Sequence, residues 1–83
     1  MMTENIALTD NPLAWILDNI RDDISGVEEV VVTYTAEEIL EPALEYIEEA
    51  FKEVRLPLPD RKLIISGIND LIETEKKLLG NSL

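Results

Sequence analysis

The sequence predicts a mostly α fold: a small three-helix bundle with one short extended segment, residues 29–34, between its first and second helices. Three observations point there. Apolar residues recur at helical spacing in three separate stretches. Each stretch follows a capping residue, at Asn11, Thr35 and Asp60. Each ends on a glycine or proline signal, at Gly26, Pro57 and Gly80. The chain has 83 residues, of which 46% are hydrophobic, enough for one core and one domain over 1–83. A chain of this size buries about 60–65% of its unfolded surface, so its stability is modest and a partner adds to it.

Residues 1–9 are expected to be a flexible polar lead carrying Ile6 and Leu8. Asp10-Asn11-Pro12 then places a cap before a proline at the first helical position. Leu13, Ile16, Leu17, Ile20 and Ile24 make one stripe, and Ser25-Gly26 stops it, giving a helix over 12–24.

Val30-Val31-Val32-Thr33-Tyr34 follows, and a β-branched run of this kind favours extended chain. One strand alone is no sheet. The segment either crosses the bundle as a buried connector, or pairs with residues 6–9, or pairs with a second copy to make a homodimer through Val30–Tyr34.

Thr35-Ala36-Glu37-Glu38 fits a capping box and starts the second helix at 36. Its inward face reads Ala36, Ile39, Leu40, Ala43, Leu44, Ile47, Ala50, Phe51 and Val54. Pro42 lies inside this helix, 36–54, and predicts a kink or break near 38–42. Leu56-Pro57-Leu58-Pro59 is a stiff connector, and Asp60 caps a third helix over 61–79, with Gly80 and Asn81 as stop signals. Its stripe is Ile64, Ile65, Ile68, Leu71, Ile72 and Leu79. Gly67 interrupts that helix at a cost of about 1 kcal/mol, which predicts close approach of a neighbouring helix. Leu17, Ile20, Leu44, Ile47, Ile68 and Ile72 are expected at the centre of the core.

Formal net charge is −11, and it is unevenly placed. Residues 1–34 hold seven acids against Arg21, and 35–56 hold seven against Lys52 and Arg55. Residues 57–83 balance four acids with four bases. Such a surface disfavours direct binding to nucleic acid or an anionic membrane and favours a basic protein.

Little chemistry is legible. Without cysteine or histidine there is no disulfide, thiolate site, imidazole base or nucleophilic triad. A calcium loop begun at Asp18 fails, since Ile20 falls at its third position and Asp23 where glycine is required. No glycine-rich phosphate loop is present. The expectation is therefore a non-enzymatic protein with no catalytic, cofactor-binding or metal-binding residues. The first residues lack the pattern of a signal peptide and no apolar run reaches the length of a span, so a cytoplasmic protein is expected.

Two features suggest binding. Trp15 lies roughly opposite Leu13, Leu17, Ile20 and Ile24 on the helix, beside Asp18, Asn19 and Asp22, where it is a candidate hot spot. Glu37, Glu38, Glu41, Glu45, Glu48 and Glu49 form an acidic ridge on the second helix, joined by Asp18, Asp22, Asp23, Glu28 and Glu29. The partner-binding set is accordingly Trp15, Asp18, Asp22, Glu41, Glu45, Glu48 and Glu49. The expected function is a small acidic interaction module (adaptor, subunit or regulator) docking on a basic partner protein. The alternative is a nucleic-acid mimic that inhibits a DNA- or RNA-binding protein, as in phages and plasmids.

Overall fold

The Asn11 side chain accepts a hydrogen bond from the Ala14 N–H at 3.2 Å, so the first helix starts on its cap with Pro12 in the first turn. The computed structural model describes residues 8–82. It contains four helices: α1 (Pro12–Ile24), α2 (Glu28–Thr33), α3 (Ala36–Glu53) and α4 (Arg61–Ser82). The lead expected over 1–9 lies outside the described residues except Leu8 and Thr9, and Leu8 packs against the core.

The valine run is helical, which corrects the extended segment expected at 29–34. The reason is backbone satisfaction. No strand is present among the described residues, so an extended chain here would have no partner for its N–H and C=O groups. Each such group costs about 1–3 kcal/mol if buried unpaired, whereas three valines in a helix cost no more than about 0.7 kcal/mol each. A turn of helix closes the bonds internally, with the Val31 N–H donating to the Val27 carbonyl at 3.1 Å and Tyr34 to Val30 at 3.0 Å. Glu28 and Glu29 in its first turn suit the positive end of the helix. Val31 is buried, Val30 is half-buried, and Val32 stands 60% exposed. The segment therefore offers no strand edge for the two-fold pairing through Val30–Tyr34.

The Thr35 capping box is complete: the Thr35 N–H donates to Glu38 Oε1 at 2.9 Å, and the Glu38 N–H donates to Thr35 Oγ1 at 3.2 Å. Helix α3 then runs without the break expected at Pro42. Pro42 is exposed, so the Glu38 carbonyl left without its helical donor lies on the water side. The far end closes as a Schellman motif. Leu56 N–H donates to the Phe51 carbonyl at 3.0 Å and Arg55 N–H to the Lys52 carbonyl at 3.2 Å, with Arg55 left-handed at φ 58°. Asp60 opens α4, its Oδ1 accepting from the Lys62 N–H at 3.0 Å. The helix continues through Gly80 to Ser82, past the stop expected at 79. Gly80 and Asn81 weaken a helix without forbidding it, as a proline would, and a helix already formed extends at little cost.

Helix α4 lies against the other three, and α1 also touches α2 and α3. Ile16, Ile20 and Ile24 of α1 meet Leu40, Ile47 and Phe51 of α3 and Ile64, Ile68 and Ile72 of α4 in one core, with Val31 sealing it from α2. Of the core centre expected from sequence, Ile20, Ile47, Ile68 and Ile72 are buried, while Leu17 and Leu44 are only partly covered. Gly67 meets its expected close approach: a Cβ there would stand 2.5 Å from Leu17 Cδ1 and 2.8 Å from Cδ2. Among the described residues one charged side chain, Glu75, is buried, at 6% exposure, one turn beyond Ile72 on the inner face of α4. The molecule measures 43 × 28 × 17 Å, about two helix layers thick, so much of α2 and α3 faces solvent.

Candidate protein-interaction groove

Helices α2 and α3 are joined by Tyr34 and Thr35 alone, yet they do not lie against each other. Both pack inward on the same two helices, α1 and α4, rather than on each other. The divergence opens a groove of about 290 Å³. Ile24 from the end of α1, Ile39 and Ala43 of α3 are buried and form its floor, with Val30 of α2 half-buried beside them. Asp23, Tyr34, Glu38, Pro42 and Tyr46 are exposed and form its rim.

The charges on that rim have one sign. Asp23 and Glu38 line it, and none of the chain's Lys or Arg residues does. Glu38 is held in place by the capping box, because the Thr35 hydroxyl and backbone N–H both reach its Oε1, at 3.3 and 2.9 Å. Partial burial and then the neighbouring Asp23 carboxylate push the Tyr46 phenol above its ordinary value. The Asp23 carboxylate and the Tyr46 phenol thus share the rim of the groove. Tyr34 and Tyr46 are 46% and 41% exposed, large amphipathic rings on an otherwise aliphatic cleft. A second depression of about 350 Å³, lined by Glu37, Arg61, Lys62, Ile65, Ser66 and Asn69, carries both signs of charge.

The residues expected from sequence are placed differently. Trp15 is not a free anchor: it is partly buried and packs edge-to-face on Phe51, ring centroids 6.1 Å apart and planes at 69°. Trp15 is drawn inward because α1 is covered on two sides, by α4 along its aliphatic stripe and by α3 beside it. A long indole reaches round to the second. Asn19, also on that side, donates to the Trp15 carbonyl at 2.8 Å. Asp18 is paired with Arg21 at 2.7 Å, and this is the one ion pair among the described residues. Asp22 is exposed next to Asp23.

Glu41, Glu45, Glu48 and Glu49 are all exposed on α3, but they are not one row. At about 100° per residue, Glu38 and Glu49 fall on the groove side with Pro42, Glu45 between, and Glu41 and Glu48 on the flank toward Glu37 and α4. Tyr34, Tyr46 and the floor are not among the residues to which the sequence points. The available signal was Tyr46, an aromatic left outside the aliphatic stripe of α3.

No group of three or more acids among the described residues is arranged to hold a metal ion. None of the described helices is long and apolar enough to cross a membrane. Compared with protein-family models, curated proteins and solved structures, the chain matches none of them.

Proposed function

We propose that this chain is a small non-catalytic interaction module of the cytosol that docks on a basic partner protein through the α2–α3 groove and the acids around it. The observation that carries the reading is an apolar, tyrosine-bearing cleft whose lining charges are all negative. Fourteen of the chain's 18 acids lie in residues 1–56, which include α1, α2 and α3, against three bases there. Long-range attraction brings a basic surface to this face, and desolvation of the groove holds it.

The two contributions separate kinetically. With a partner recovered on the immobilised protein, Glu45→Lys with Glu49→Lys slows association at low salt, an effect that fades as salt rises. Tyr34→Ala with Tyr46→Ala instead speeds dissociation, by about tenfold or more for two ring contacts. Surface plasmon resonance at two salt concentrations reads both. Substitutions at Lys62, Asn69 and Glu73 of α4 leave binding unchanged; if they alone weaken it, the reading is wrong. Competition by duplex DNA, with binding abolished by the charge reversals alone, would replace it with nucleic-acid mimicry.

A further inference from the structure

We propose, resting on that reading, that the α2–α3 groove is a receptor for an arginine side chain presented by the partner. The floor of Ile24, Ile39 and Ala43 matches an aliphatic stem, and the rim supplies what a guanidinium needs at its end. Carboxylates stand there at Asp23 and Glu38, and aromatic rings at Tyr34 and Tyr46. A guanidinium is planar, weakly hydrated, forks onto carboxylates and stacks on aromatic faces, so it gains from both kinds of group at once. A lysine ammonium is a hydrated point charge and gains less from the rings.

Size agrees. The groove's 290 Å³ lies at the lower edge of small-molecule sites, room for one or two side chains rather than a cofactor. The charge is also uncompensated from within. Arg21 is engaged by Asp18, and no base of this chain lines the groove, so a cation from outside meets no competitor at the rim.

The probe is N-acetyl-arginine methylamide, titrated into the full chain and followed by two-dimensional amide NMR. The expected result is saturable binding of about millimolar affinity, as befits a fragment. The shifts are confined to Asp23, Ile24, Val30, Tyr34, Glu38 and Tyr46. N-acetyl-citrulline methylamide, the neutral isostere, is expected to give no saturable shift, and the lysine analogue to bind about threefold or more weakly.

Asp23→Asn with Glu38→Gln should weaken the arginine probe by about tenfold. Glutamine at 38 keeps the capping box, so the helix start is preserved. Citrulline binding as well as arginine, lysine binding equally, or a double variant that binds unchanged would each overturn the assignment. Dispersed, non-saturating shifts would do the same. Failure here with groove-dependent partner binding intact removes only the arginine; loss of groove dependence removes the docking reading itself.

Discussion

Replacing Ile47 with alanine will lower stability by about 2–4 kcal/mol. Ile47 is 0% exposed, at the point where α3 meets the rest of the core. The loss combines the transfer free energy of the removed methyl groups with a cavity that the surrounding isoleucines fill only in part. A domain of this length holds about 4–12 kcal/mol in total, so the variant forfeits a large fraction of it. Urea unfolding followed by far-UV circular dichroism measures the change. A loss below about 0.5 kcal/mol, the range of ordinary surface substitutions, would mean that the inner stripe of α3 is misassigned.

Gly67→Ala is the second large effect, and its sign depends on Leu17. In an open helix the change would stabilise by about 1 kcal/mol through propensity. Here the new methyl group overlaps both Leu17 methyls, and its Cγ is only 3.2 Å away, so turning the isobutyl group relieves one overlap at a time. Overpacking of this kind costs about 1–3 kcal/mol, which cancels the propensity gain or exceeds it by up to about 2 kcal/mol. With Leu17 first cut to alanine the obstruction is gone, and Gly67→Ala becomes neutral or stabilising. A double-mutant cycle should therefore show a coupling of about 2 kcal/mol, where independent sites add to within about 0.5. Additive behaviour would place Gly67 away from α1.

Where local chemistry decides, this sequence is readable. Asn11 with Pro12, Thr35 with Glu38, and Asp60 each bind their own backbone, and all three helix starts fall where those residues put them. Gly67 was legible on a different ground, since a glycine inside a helical stripe has a cost that only packing explains. The misreadings are tertiary. Val30–Val32 favour strand locally, but with no strand to pair with, the backbone closes on itself as α2. Pro42 breaks no helix because it faces water, and Trp15 is partly covered because α3 lies beside α1 as well as α4. The acids Glu41, Glu45, Glu48 and Glu49 were correctly read as exposed. The groove beside them was not visible, because it is made by the divergence of two helices, and one of those was expected to be extended chain.

That groove is the centre of the functional account, and backbone amide protection tests it most directly. Hydrogen exchange of the free chain and of its complex with the recovered partner gives a footprint residue by residue. The account predicts slowed exchange at Asp23 and Ile24, along Val30–Tyr34 and from Glu38 to Tyr46, with the outer face of α4 at Lys62, Asn69 and Glu73 unchanged. A footprint on that face of α4, with the groove exchanging as it does in the free chain, would contradict it.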